Sequence, residues 1–292
     1  MIDIDVPDVP YRRYSNRQLV AIPAAVLLVA LLIIAGWYVT TGAPVTPGID
    51  FTGGTELQIS SDQSADQIRS TFESELSVPV ETVTQSGSSY IVTFQATDQS
   101  EIDQIQSVAK SSGYEIEQIQ TRSATFSGDA QRQSLIGIGV AFVGMSVLAF
   151  VFFRTFVPSI AIVLSAFSDL VIPIAVMNIL GMRLSLGTVA ALLMLIGYSV
   201  DSDILLNNSI LRRSGDFYES TYRARRTGVT MTVTSIIAMI VMTILSSRFV
   251  FGIPLLPQVG IILVVGLTAD LMNTYLMNVS LLRYYVYEGV AK

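Results

Sequence analysis

Six apolar runs, each about long enough to cross a bilayer, govern what this sequence can become: roughly Leu19 to Val39, Leu135 to Phe153, Val157 to Leu180, Leu184 to Leu211, Val229 to Ser246 and Leu256 to Leu282. A spanning helix needs about 20 apolar residues. Hydrocarbon offers no water to peptide N–H and C=O groups, so each run must close its own hydrogen bonds as a helix. The whole chain agrees: of its 292 residues 51% are hydrophobic and 14% charged, with a mean hydropathy of +0.58, far from an ordinary soluble domain. The first run exceeds the roughly 7–15 residues of a secretory signal core and reads as an uncleaved first span.

Neither cysteine nor histidine occurs. Disulfides, thiol catalysis, histidine-ligated metals and a Ser-His-Asp triad are thereby excluded. Proton chemistry in this chain must run on carboxylates, tyrosines, arginines or water.

Between the first and second runs, residues 44–131 turn to Ser, Thr, Gln and Asp. Thr55 to Ser60 alternates polar and apolar like a half-buried strand. Ser64 to Leu76 sets Ile68, Phe72 and Leu76 at helical spacing, with Asp66 in the first turn. Val80 to Thr84 and Tyr90 to Gln95 flank a Ser86-Gly87-Ser88-Ser89 hairpin signal. Glu101 to Ser111 carries Ile102, Ile105 and Val108 on one stripe, and Tyr114 to Thr121 alternates again. This β-α-β-β-α-β order predicts a small α+β, ferredoxin-like domain. From Pro44 to Asp129 stand 13 acids against Arg69, Lys110 and Arg122, a local charge of about −10 that leaves the remainder net positive. Lysine is nearly absent beside fifteen arginines. A high-salt source and a biased base composition account for that equally well.

Short basic loops stay cytoplasmic. With both ends inside, Arg12, Arg13, Arg17, Arg154, Arg212, Arg213, Arg223, Arg225, Arg226, Arg283 and Lys292 fall on the cytoplasmic side, and outside the folded domain only Arg183 and Arg248 fall across the membrane. The expected layout is a cytoplasmic tail (1–18), a first span (19–41), an extracytoplasmic domain (44–131), a five-helix bundle (132–285) and a second cytoplasmic tail (286–292).

Four acids lie within the expected spans: Asp169, Asp201, Asp203 and Asp270. A charged side chain at the membrane centre costs at least about 2.5–3.5 kcal/mol, so such residues usually face a bundle interior and carry function. Residues two apart on a helix point about 200° from one another, so Asp201 and Asp203 cannot share a face. Asp201 goes with Tyr198 and Asn208, and Asp203 with Ser199 and Asn207. In the last span Asp270, Asn273, Thr274 and Asn278 line one side; in the fifth Arg226, Thr230 and Thr234 do so. Isolated Thr and Asn in spans often only bond a neighbouring helix, but three helices with buried acids among hydroxyls and amides suit a proton or ion path. A site alternately wet and dry, or near to and far from Arg226, would take up and release protons.

Gly48-Ile49-Asp50-Phe51-Thr52-Gly53-Gly54-Thr55 resembles the glycine-rich signature that opens the first extracytoplasmic domain of the SecD/SecF protein-export family, within the RND superfamily. Gly197-Tyr198-Ser199-Val200-Asp201 resembles its fourth-helix motif. Ser168-Asp169-Leu170 lies where a His-Asp pair is usual, and Arg226-Thr227 with Thr230 resembles the start of the fifth helix. The likeness covers essentially the whole chain and is closest to archaeal members. It implies six transmembrane helices forming half of a pseudo-symmetric twelve-helix unit with SecD, assisting the SecYE translocon.

The partners so implied are SecD, SecYE, a translocating polypeptide and membrane lipid, with no nucleic acid, no cofactor, no metal and no enzymatic activity. The expected relay is Asp201, helped by Asp169, Asp270, Asp203 and Arg226, with Tyr198, Ser199, Asn208, Thr227, Thr230 and Asn273 in support. Gly48, Asp50, Gly53 and Gly54 are expected to be structural, Asp50 capping a turn and the glycines allowing shapes a Cβ forbids. The rival readings are an independent RND-type transporter of lipids or hydrophobic small molecules and a passive scaffold for the translocon. An intramembrane aspartyl protease needs a Gly-x-Gly-Asp setting that this chain lacks.

Overall fold

Ser15 starts the first span. Its hydroxyl accepts from the Gln18 N–H, and the Gln18 side chain accepts from the Ser15 N–H, a reciprocal arrangement that satisfies two otherwise unpaired donors. The computed structural model describes residues 9–86, 89–211, 216–246 and 256–289. Over these the elements run α1 (Asn16–Thr41), a single turn α2 (Ile49–Thr52), β1 (Gly54–Ser60), α3 (Ala65–Glu75), β2 (Val80–Ser86), β3 (Ser89–Phe94), α4 (Gln99–Ser111) and β4 (Glu115–Arg122). The spans α5 (Ala124–Phe153), α6 (Phe156–Ile179), α7 (Leu186–Leu211) and α8 (Phe217–Ser246) follow. The last span is α9 (Leu256–Met272), a π-helical turn (Asn273–Asn278), α10 (Val279–Tyr284) and a second π turn (Tyr285–Gly289). Six helices among the described residues are long and apolar enough to cross a membrane. The hairpin residues Gly87 and Ser88, the loop arginines Arg212, Arg213 and Arg248, and Lys292 lie outside the described residues.

Two units divide the chain: one of Met1–Val45, Ile136–Met182 and Gly187–Lys292, the other of Thr46–Leu135 with Arg183–Leu186. The second unit is built on an antiparallel sheet of order β2-β3-β1-β4, the arrangement expected of a split βαβ fold. Strand alternation sends Leu57, Ile59, Val92 and Phe94 to one face, where they bury against Ile68 and Phe72 of α3 and Ile105 and Ala109 of α4. Gly53, just ahead of β1, and Gly54, its first residue, both have positive φ (77° and 106°), and a Cβ on Gly54 would collide with the Phe94 carbonyl. Only glycine is unstrained there.

The short segment Arg183–Leu186 is part of this unit although it joins α6 to α7 in sequence. Leu184 pairs with Pro47 in a parallel bridge, its N–H donating to the Thr46 carbonyl and its carbonyl accepting from the Gly48 N–H, both at 2.8 Å. The fourth helix therefore starts at Leu186 rather than Leu184, because the backbone of Leu184 is already committed to a strand-like pairing. Arg183 lies across one row of the sheet. It donates to Glu56 on β1 at 3.3 Å, to Thr93 on β3 at 2.8 Å and to Thr82 on β2, three residues that pair side by side. Burial raises the pKa of Glu56, with the Arg183 charge pulling the other way.

The second span also departs from expectation, its helix beginning at Ala124 rather than near Leu135. Apolar counting finds only the lipid-facing part. Residues 124–134 are polar helix, held within the second unit where the Ser127 hydroxyl donates to the Ile49 carbonyl at 2.9 Å.

Within the first unit, at least half of the central stretch of α6, α7 and the last span is buried, against fewer than a fifth in α1, α5 and α8. Ala30 of α1 packs with Val171, Ile172 and Ala175 of α6 and Ala269 of α9. The three most enclosed helices are the ones that carry the acids.

Candidate functional site in the helical bundle

On α7 the buried positions include Leu192, Leu195, Ser199, Asp203, Leu206 and Ile210, the three- and four-residue spacing of one helical face. Asp203 stands on that face and is fully buried. Asp169 occupies the buried side of α6, and Asp270 that of α9. Four residues beyond Asp169, Pro173 has no N–H to give its carbonyl.

The three carboxylates are joined by short polar side chains. Asp169 accepts from the Ser199 hydroxyl on Oδ2 at 2.7 Å and from the Asn273 amide on Oδ1 at 2.6 Å. Asp203 Oδ1 accepts from the Thr274 hydroxyl and the Asn278 amide, each at 2.8 Å. Asp270 Oδ1 lies 2.8 Å from the Ser202 hydroxyl and 3.2 Å from that of Thr274. The Ser202 hydroxyl in turn reaches the Ser199 carbonyl at 2.9 Å. One hydrogen-bonded network therefore links α6, α7 and the last span. Oδ2 of Asp203, Oδ2 of Asp270 and the side-chain carbonyls of Asn273 and Asn278 are buried without a protein donor among the described residues.

The π-helical turn sets this geometry. An i→i+5 turn holds more than four residues, so residues four apart fall slightly short of a full turn, whereas in an α-helix they overshoot it. Placed after α9, the widened turn keeps Asp270, Thr274 and Asn278 on one side while Asn273 reaches Asp169.

Asp201 stands apart from this network. Expected at the centre of the relay, it is exposed, together with Tyr198 and Asn208, and the hydrogen bonds of the network come from other residues. The grouping of these three on one face holds, but the face points out of the bundle. Arg226 and Thr227 are likewise exposed on α8. Thr227 and Thr230 bond back to the carbonyls of Arg223 and Arg226 in their own helix, at 3.4 and 2.8 Å. Ser199, Asn273, Asp169, Asp203 and Asp270 are the expected residues that come together. Thr274 and Asn278, expected on the same side of the last span as Asp270, join them, and Ser202 completes the network; Ser202 sits one turn after Ser199, a spacing that could have singled it out.

Asp50 holds a backbone group, though of a different element from the one expected. Its Oδ2 accepts from the N–H of Leu186, the first residue of α7, at 3.0 Å, and its Oδ1 from Arg122 Nε at 2.9 Å. Gly48 joins the same construction through its N–H to Leu184.

Comparison with known proteins decides the family. The model described as "Protein export membrane protein SecD/SecF, C-terminal" matches residues 102–288, and that for the "SecD/SecF GG Motif" matches residues 38–65. A protein-export membrane protein SecF of Haloferax volcanii is 60% identical over 100% of both chains. The chain belongs to the SecD/SecF protein-export family. A SecF of Methanolacinia petrolearia is 40% identical over 95% of this chain and 96% of its own, so the likeness is to archaeal SecF proteins along their full length. The crystal structure of the translocon-associated SecDF of Thermus thermophilus superposes with a TM-score of 0.75 at 20% identity, covering 96% of this chain and 39% of that one. The chain thus spans well under half of that SecDF chain, and at this identity the likeness shows the shared fold: six apolar helices with a small antiparallel sheet.

Proposed function

We propose that this SecD/SecF family member works as the SecF half of a SecD–SecF pair in the cell membrane, both termini cytoplasmic. There it assists a polypeptide leaving the SecYE translocon by coupling an ion gradient, through protons held in the Asp169–Asp203–Asp270 network, to motion of the extracytoplasmic domain. The observation that carries this reading is a count of hydrogens. A hydroxyl has one proton to donate. Thr274 faces both Asp203 and Asp270, and Ser202 faces both Asp270 and a peptide carbonyl that can only accept. These two hydroxyl protons face four short contacts, and protons on the Asp203 and Asp270 carboxyls would supply the other two. Among the described residues the three acids accept hydrogen bonds from hydroxyls and amides. Three full negative charges so enclosed would repel each other unsolvated, so the network suits groups that gain and lose protons.

Asp201 supports the pairing with SecD. An acid inside a spanning helix belongs against protein or a water-filled cavity, and the outward stripe of Tyr198, Asp201 and Asn208 needs a neighbour with polar groups to cover it. The two π turns and the linked helices supply elements with alternative registers for such a motion.

The test is export of a secreted reporter from cells with an imposed gradient, comparing wild type with Asp203→Asn and Asp169→Asn. Loss of the gradient-dependent part of export is expected. Wild-type rates in both variants would leave only a passive scaffold.

A further inference from the structure

The residues just ahead of α1 are wired to the π-helical turn that carries the network. Tyr11 is fully buried among Leu206 and Ile210 of α7, Ala224 of α8, and Tyr275, Val279 and Leu282 of the last span. Its hydroxyl donates to the backbone carbonyl of Tyr275 at 2.9 Å, inside the π turn and next to Thr274. Arg283 fixes the segment that presents Tyr11, donating to the carbonyls of Tyr11 at 2.7 Å and Tyr14 at 2.9 Å and to the Asn16 side chain. On α8, the Tyr222 hydroxyl donates to the Val9 carbonyl at 2.8 Å, and the Tyr222 ring lies 5.7 Å from that of Tyr11. Tyr275 is held from its other end as well. Its hydroxyl occupies the space a Cβ would fill on Gly228 of α8, so α8 admits it only because that position is glycine.

We propose that Tyr11 is a positioning residue of the carboxylate network, acting through the Tyr275 carbonyl to hold the widened turn from which Asn273, Thr274 and Asn278 reach Asp169 and Asp203. The inference rests on the reading that the network holds protons. A π turn is rare because the α pitch is the better one for an isolated helix, and it persists where outside contacts favour it. Widening moves amide donors from the i−4 to the i−5 carbonyl, and an O–H from another segment stabilises a carbonyl within that altered ladder. If the turn relaxed toward α pitch, Asn278 would rotate relative to Asp270 and Thr274. The three donors could not then keep both acids in the present geometry. The charged and titratable groups around Tyr11 are Tyr222 and Arg225 from α8, Tyr275 and Arg283 from the last span; on α7 it packs with Leu206 and Ile210.

Tyr11→Phe removes the hydroxyl and keeps the ring. In full-length protein purified with its membrane partners, the carboxyl C=O stretching band would be followed by infrared spectroscopy across pH, with Asp203→Asn used to assign the band. The expected result is normal membrane levels, a carboxyl band displaced from the wild-type position, and a titration midpoint moved by roughly half a pH unit or more, the scale of one lost neutral hydrogen bond. Gradient-dependent export should fall about fivefold. Arg283→Lys, which loosens the same segment without touching the hydroxyl, should move the band in the same sense and serves if Tyr11→Phe fails to accumulate. A Tyr11→Phe band and titration superimposable on wild type would overturn the proposal. If the band moves while Asp203→Asn leaves export untouched, the export reading fails and the positioning role stands; a wild-type protein with no titrating carboxyl band removes both.

Discussion

Asp203 and Asp270, on different helices, share a single hydroxyl: Thr274 Oγ1 lies 2.8 Å from one carboxylate and 3.2 Å from the other. The one proton of that hydroxyl serves only one of them at a time, so the state of either acid is felt by the other. Thr274→Val keeps the shape and removes the link. It should cut gradient-dependent export by about fivefold to a hundredfold, the range for a donor lost from buried polar groups, without loss of protein from the membrane; the check is reporter export alongside immunoblotting of the membrane fraction.

Asp203 and Asp201 should behave as different kinds of residue. Asp203→Asn is expected to reduce gradient-dependent export about a hundredfold or more, as removal of a positioned proton-transfer group does. Asp201→Leu is expected to reduce the SecD-like chain recovered by pull-down from detergent-solubilised membranes while the three-acid network survives. Equal effects of the two variants in both assays would contradict the division of roles.

Asp50 ties the glycine-rich signature to the start of α7. Asp50→Ala should free the Leu186 N–H and strand Arg122. Because the Arg122 side chain is 37% exposed and that of Asp50 only 7%, most of the loss, about 1–2 kcal/mol, should come from the helix start rather than the ion pair. Faster amide hydrogen exchange at residues 184–190 in the full-length protein would show it. Wild-type protection there would mean the bond is dispensable.

Gly54→Ala should be the most damaging small change in the unit that holds the sheet. It forces a Cβ into the Phe94 carbonyl at φ 106°, at a cost of roughly 1–3 kcal/mol for a strained backbone. Protease resistance of the domain in intact membranes reports the result.

Glu56 makes the unit that holds the sheet sensitive to pH, and the direction follows from its raised pKa. Between the ordinary carboxyl value and the raised one the folded state binds more protons than the unfolded state. Stability therefore falls as pH rises through that window. Glu56→Gln should flatten the dependence there. Exchange rates of the β1 and β3 amides, measured in full-length protein from acidic to neutral pH, test this.

Much of the architecture was legible along the chain because burial repeats with a fixed period. Ile68 and Phe72 at helical spacing, the alternation of Leu57 and Ile59, and apolar runs of spanning length point to their elements with little help from elsewhere. Three boundaries moved for tertiary reasons: Leu184 is drawn into a bridge with Pro47, and the polar turns from Ala124 onward and from Phe217 onward are helical ahead of their apolar runs. The membership of the buried network was harder to read. The sequence shows that Asp201 and Asp203 must part ways, yet it carries no sign of which face turns inward.

From sequence alone it follows that this chain crosses a membrane six times, carries an acidic α+β domain between its first two spans and lodges acids within three of its helices. Hydropathy and local periodicity are properties of short stretches, and they survive whatever the rest of the chain does. Only the tertiary structure turned Asp203 rather than Asp201 into the buried network, brought in Ser202, set Thr274 and Asn278 against Asp203, and brought Tyr11 against Tyr275. Those outcomes depend on how helices far apart in sequence rotate against one another and on one widened turn, and a rotation of a helix leaves no mark in the order of its residues.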